Sequence, residues 1–235
     1  MVLINFQEHQ VYEDLPVGKL CILVVDDHQL ILTGTLDVLR REYSEADIIK
    51  AQTTKETLSL VQSHQLDLVM MDLSIPHTLG ERAEIDSGIQ LLQTLLKDYP
   101  QQNFIVQTSY VKALIRIKHE IDNHQGGFAI ADKGLPEDEM LMRVNLSLNG
   151  ATHTKDIKTG IELKPEWVDV LRFAFEEGLT DKEIAKRMYK SERAIRTYWT
   201  KIQDVLEIYP EDCKQSGKNL RIQTEIRARD EGLID

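Results

Sequence analysis

The sequence predicts an α/β domain built on a doubly wound parallel sheet of five strands, followed by a second, smaller, all-α domain. Three observations predict it. Short apolar runs alternate with amphipathic segments up to about residue 150, and after residue 163 the pattern is helical only. The central runs LCILVV (20–25) and LVMM (68–71) are apolar without alternation, as strands covered on both faces are. Charge divides the chain in the same place. Residues 1–150 hold 12 Lys/Arg and 22 Asp/Glu, net −10, whereas residues 151–235 hold 16 and 17, net −1.

The elements follow in order. Residues 1–19 form an N-terminal extension. Strands are expected at 20–25, 47–51, 67–71, 103–107 and 127–131, and helices at 28–41, 54–64, 87–98, 110–121 and 136–148. Pro136 falls in the first turn of the last helix and Gly150 just past its end, the places these residues favour. Strand–helix alternation requires parallel neighbours joined by right-handed crossovers. The domain so defined covers 20–150. Residues 151–162 are polar, without a helical stripe, and are read as a linker. The second domain covers 163–235, with helices at 165–177, 180–189, 191–207 and 219–231.

Composition excludes some classes. At 42% hydrophobic and 29% charged, the chain can bury real cores and resembles an ordinary globular protein. No apolar run approaches the roughly 18 residues of a membrane span, so no membrane partner is expected. The start, MVLINFQEHQVYED, has neither the basic region nor the apolar stretch of a secretory signal. Cys21 and Cys213 lack ligand spacing and read as thiols in a reducing cytoplasm, the expected location.

Candidate chemistry collects at the carboxyl ends of the strands, where open α/β sheets hold their ligands. Asp26 and Asp27 follow the first strand and Asp72 the third. With strand order 2-1-3-4-5, these acids converge, and three carboxylates in one pocket need a cation to stay ionised. Oxygen-only ligands point to a hard ion, Mg2+. Thr108 ends the fourth strand and Lys133 follows the fifth. A metal, a lysine, a hydroxyl and a carboxylate together make a receptor for a phosphoryl group, with the carboxylate as nucleophile.

The segments ILVVDDH, LDLVMMDLSIP, FIVQTS and DKGLPEDE resemble the signatures of a response-regulator receiver domain, a flavodoxin-like fold, over residues 20–150. The resemblance implies that Asp72 is the phosphoacceptor. It implies that Asp26, Asp27, Asp72 and the Ser74 backbone carbonyl bind Mg2+, that Thr108 is the switch hydroxyl, and that Lys133 is the family's lysine. Two departures stand out. HTLGERAEIDS lengthens the connection between Pro76 and Gly88, an insertion at 77–87 expected to overhang the pocket. Ile130 stands where the family carries an aromatic, with Phe128 two residues earlier on the same face.

Residues 163–206 resemble the LuxR-type helix-turn-helix of the NarL/FixJ family. Local physics agrees: Thr180 with Glu183 makes a capping box, and Ser191 caps the next helix. In that helix Ile195, Trp199, Ile202 and Leu206 share the inward face, and Arg193, Arg196, Thr197, Thr200 and Lys201 the other. With Lys186 and Lys190, these are the expected DNA-binding residues: Arg and Thr at base edges, Lys on phosphates. A second insertion, within 207–219, separates this helix from the last one and reads as a loop.

The reading is a response regulator, phosphorylated on aspartate by a sensor histidine kinase, that binds double-stranded DNA and regulates transcription. It is not an enzyme acting on an external substrate, and a homodimer is expected when it is phosphorylated or on DNA. The alternative is a phosphorylation-independent DNA-binding regulator with a receiver-like domain. An aspartate-dependent phosphatase of the haloacid-dehalogenase type needs acids at i and i+2, whereas Asp26 and Asp27 are adjacent.

Overall fold

The computed structural model describes residues 19–154 and 163–234. Its strands are β1 (Cys21–Val25), β2 (Asp47–Ala51), β3 (Leu68–Met71), β4 (Phe104–Thr108), β5 (Phe128–Asp132) and β6 (Thr152–His153). They form one all-parallel sheet in the order β2-β1-β3-β4-β5-β6. Helices α1 (Gln29–Glu42), α2 (Thr54–Ser63), α3 (Ile85–Asp98), α4 (Lys118–Asp122) and α5 (Glu137–Leu148) cover it, with a 3-10 helix at Val111–Ile117 before α4.

The unalternating strands explain the two layers. Leu23, Val25, Val69, Met71, Phe104, Val106, Phe128 and Ile130 point to the face packed by α2, α3 and α4. Ile22, Val24, Leu68, Met70, Ile105, Ala129 and Ala131 point to the face packed by α1 and α5. Gly88 lets α3 approach β3's exit, since a Cβ there would sit 1.9 Å from the Leu73 carbonyl oxygen.

Three expectations need correction. A sixth strand, Thr152–His153, extends the sheet inside the segment read as linker, pairing with Phe128 and Ala129. Two residues carry no periodicity to detect, and pairing to an exposed edge is what forms the strand. The helix expected at 110–121 is mostly 3-10. It serves two cores at once, Ala113, Leu114 and Ile117 facing the sheet and Ile115 facing the second domain, so no single 3.6-residue stripe holds it. The insertion read as a loop contains a short helix, Pro210–Gln215, started by Pro210 and anchored by buried Cys213.

The second domain comprises α6 (Pro165–Phe175), α7 (Asp181–Arg187), α8 (Glu192–Val205), α9 (Pro210–Gln215) and α10 (Leu220–Asp230). Its core joins Trp167, Val170 and Leu171 of α6 with Ile184, Ile195, Trp199 and Ile202. The Trp199 indole donates to Asp181 (3.0 Å), which also accepts from Arg221 of α10 (3.0 Å), whose guanidinium lies 3.4 Å over the Trp199 ring. Residues 1–18 of the expected extension and 155–162 of the expected linker lie outside the described residues.

Candidate functional site

Parallel pairing of β1 and β3 brings Val25 opposite Met71, so the residues that follow them, Asp26 and Asp72, emerge side by side. Both are buried at 3% exposure. The Asp72 amide donates to the Val25 carbonyl (2.9 Å), locking the two strand ends together. Lys133, just past β5, reaches across β4's end and places Nζ 2.7 Å from Asp26 Oδ2 and 2.8 Å from Asp72 Oδ2. The remaining oxygens are also positioned: His28 N donates to Asp26 Oδ1 (2.8 Å) and Leu73 N to Asp72 Oδ1 (2.7 Å).

These contacts set the electrostatics. Burial pushes the Asp26 carboxyl above its ordinary range, and the Lys133 ammonium restrains the rise. Burial also works against the charged form of Lys133, but the two carboxylates outweigh it and hold the ammonium charged. Asp27 Oδ1 is buried without a well-directed hydrogen bond, 2.7 Å from His28 Nδ1. A buried carboxylate oxygen with no well-directed hydrogen bond, set in an acidic cluster, suits a cation. Ligand atoms of Asp26, Asp27, His28 and Asp72 all lie within 4.8 Å of one another. The residues present therefore fit a divalent cation. His28, directly after the acid pair, stands in this cluster although the sequence did not single it out.

Thr108 ends β4 fully buried, and its hydroxyl accepts from Tyr110 N (3.2 Å). Lys133 N donates to the Thr108 carbonyl (3.4 Å), tying the hydroxyl-bearing residue to the lysine's own backbone. Ser74 is half-buried two residues beyond Asp72, where the chain enters the insertion. The insertion closes on itself through an Ile75–Glu84 antiparallel bridge. It is also tied to α2: Thr54 N donates to the Pro76 carbonyl (3.0 Å), and Thr54 Oγ1 lies 2.8 Å from His77 Nδ1. Its tip leaves Leu79 78% exposed.

The second candidate surface is α7–turn–α8. The capping box at Thr180 and Glu183 forms, and the Ser191 hydroxyl accepts from Ala194 N. Ile195, Trp199 and Ile202 are buried, while Arg193, Arg196, Thr197, Thr200 and Lys201 are exposed together on the other face. Lys186 is exposed on α7. Lys190 lies 3.6 Å from Glu166, Arg196 3.6 Å from Glu192 and Lys201 3.9 Å from Asp204. Exposed pairs of this kind contribute about 0–1 kcal/mol, too little to hold these cations back from a phosphate. The Thr197 and Thr200 hydroxyls donate to the Arg193 and Arg196 carbonyls (3.0 and 3.3 Å). Among the described residues no helix is long and apolar enough to cross a membrane.

The sequence matches the response regulator receiver domain family over residues 22–145. It is 24% identical over 197 residues to the DNA-binding transcriptional activator DevR/DosR of Mycobacterium tuberculosis, covering 77% of this chain and 85% of that protein. To the uncharacterized transcriptional regulatory protein YhcZ of Bacillus subtilis it is 28% identical over 208 residues, 80% of this chain and 89% of the relative. A structure of two RcsB dimers bound to two parallel DNAs shares the fold with a TM-score of 0.58 at 18% identity, covering 90% of this chain and 98% of that one. The receiver match spans more than half of the chain and contains the whole lysine-bridged acid pocket, so the chain belongs to the response regulator receiver family.

Proposed function

We propose that this chain is a transcriptional response regulator in which phosphorylation of Asp72 governs DNA binding by α7 and α8. The observation that carries the reading is Lys133 Nζ held between Asp26 and Asp72 at the sheet's carboxyl edge, in a chain that also exposes a cationic helix-turn-helix face.

A sensor histidine kinase is the donor. An Asp72 carboxylate oxygen attacks phosphorus, the new O–P bond forms as the histidine N–P bond breaks, and the histidine nitrogen recovers a proton. Asp26, Asp27, Asp72 and the Ser74 carbonyl would hold Mg2+, which supplies charge neutralisation for the transferred group. Lys133, which now bridges the Asp26 and Asp72 carboxylates, pairs with the phosphoryl oxygens in place of the Asp72 oxygen. The Thr108 hydroxyl turns from the Tyr110 amide to donate to the phosphoryl group, which moves the segment that starts at Tyr110.

On the DNA side, Arg193, Arg196, Thr197 and Thr200 face base edges, and Lys186, Lys190 and Lys201 face phosphates. One such module reads a short half-site, so a homodimer on paired half-sites is the working form. The relative named a DNA-binding transcriptional activator, and the RcsB dimers on DNA, support this.

The test is selection from a random duplex pool with and without a small phosphodonor. Enrichment of a two-half-site sequence that strengthens with the donor supports the reading. Enrichment indifferent to the donor and to Asp72→Asn would favour a phosphorylation-independent regulator.

A further inference from the structure

The side chain of Tyr189 lies almost wholly in solvent. It forms the turn between α7 and α8, and at 96% exposure it is the most exposed large apolar side chain among the described residues. Its backbone sits at φ +53°, the left-handed region that favours glycine. The turn needs that conformation: Lys190 N donates back to the Ala185 carbonyl (2.9 Å) and Tyr189 N to the Lys186 carbonyl (3.3 Å), a Schellman-type helix end. A glycine would make the same turn without strain and without a ring in water. Both costs are borne by a side chain that no contact within the chain repays.

Its neighbours indicate what covers it. Lys186 precedes it by three residues, Lys190 follows directly, and Arg193 stands in the first turn of α8, all exposed. In a helix-turn-helix the second helix enters the major groove by its N-terminal half. The turn ahead of that helix then lies on the groove's rim, where the nearest groups are deoxyribose and phosphate. A phenol fits that surface, its ring against the sugar and its hydroxyl donating to a phosphate oxygen.

We propose that Tyr189 is a DNA-contacting residue of the rim, an uncharged anchor that docks the turn onto the sugar-phosphate backbone beside the half-site. The inference rests on α7 and α8 binding DNA. It assigns Tyr189 affinity without base preference, because sugar and phosphate are the same at every step.

The experiment measures binding of the full chain to its selected site and to a random duplex over a range of salt. It compares wild type with Tyr189→Gly, Tyr189→Asn, Tyr189→Phe and Arg196→Ala, alongside thermal melting. Glycine and asparagine both accept the left-handed turn, so these variants should melt at or above the wild-type temperature. Each should bind both duplexes about three- to tenfold more weakly, the loss expected for one hydrogen bond and its packing. The salt slope should not change, because no charge is removed. Tyr189→Phe should lose only part of the affinity. Unchanged affinity in the glycine and asparagine variants overturns the proposal, and so does a loss accompanied by a lower salt slope, which would place the defect in the flanking lysines. If wild type binds and Arg196→Ala weakens it while the Tyr189 variants bind normally, only Tyr189's role falls. If wild type retains no duplex at all, the DNA-binding reading falls and takes this one with it.

Discussion

Lys112 Nζ lies 3.0 Å from the Glu231 carboxylate, joining the receiver's 3-10 helix to the end of α10. The contact marks a wider junction. Ile115, from the same 3-10 helix, is buried in the core of the second domain, together with Leu233 and Ile234 from the chain's end. Gly232 fits so closely that a Cβ there would meet Ile85 at 2.8 Å and Ala113 at 3.2 Å. The receiver segment that follows Thr108 thus carries the domain that would touch DNA.

Magnitudes decide which contact holds the junction. The Lys112–Glu231 pair is 41% and 20% exposed, and such pairs contribute about 0–1 kcal/mol. Truncating a buried isoleucine costs about 2–5 kcal/mol. Lys112→Ala should therefore shift the urea midpoint little, and Ile115→Ala should shift it several times more. Equal shifts would contradict a junction held by apolar burial.

The acid pocket predicts a metal dependence. Asp27→Ala would remove one of the proposed oxygen ligands and should weaken Mg2+ binding, read by calorimetry, by at least the roughly 10–100-fold that losing a supporting partner costs. Undiminished affinity would show that the ion sits elsewhere.

How much of this was legible beforehand can be told from particular residues. Ile22 to Val25 and Leu68 to Met71 announce buried parallel strands by lacking alternation, and both sit in the sheet. Asp26, Asp72 and Lys133 were placed at strand ends by spacing alone, and the sheet order brings them within hydrogen-bonding distance. Thr152–His153 was not legible, because only a neighbouring strand makes two polar residues a strand. Neither was the 3-10 segment, since Ile115 answers to a second domain whose docking leaves no trace in local periodicity. Tyr189 carried no signal in the sequence, because its exposure and positive φ exist only in three dimensions.

His124 gives a pH dependence. Its Nε2 donates to the Gln102 carbonyl (2.7 Å), Nδ1 is buried without a partner, and the ring packs near Phe104 and Phe128. Burial pushes the imidazole below its ordinary 6.5, and the carbonyl only partly restores it. The unfolded chain therefore takes up a proton at higher pH than the folded one. His124 contributes stability that is full above about pH 6.5 and lost as pH falls toward the folded value. The stability difference between wild type and His124→Phe should drift against wild type between pH 7 and 5. A pH-independent difference would contradict this.

Base and phosphate contacts on α8 should leave different marks. Arg196→Ala should cost about 1–3 kcal/mol on the selected site and relax preference at one base pair. Lys201→Ala should weaken all duplexes alike and lower the salt slope by about one. If Arg196→Ala weakens selected and random duplex equally, Arg196 is another phosphate contact.

Asp72, held by Lys133 beside the acid pair, is the proposed acceptor of a phosphoryl group. The direct measurement is incubation of the full chain with a small acyl phosphate and Mg2+, followed by mass-spectrometric mapping of the modified residue. One phosphoryl group is expected on Asp72, with no labelling of Asp72→Asn and loss of labelling when the metal is chelated. Undiminished labelling of Asp72→Asn, or a phosphoryl group found on another residue, would contradict it.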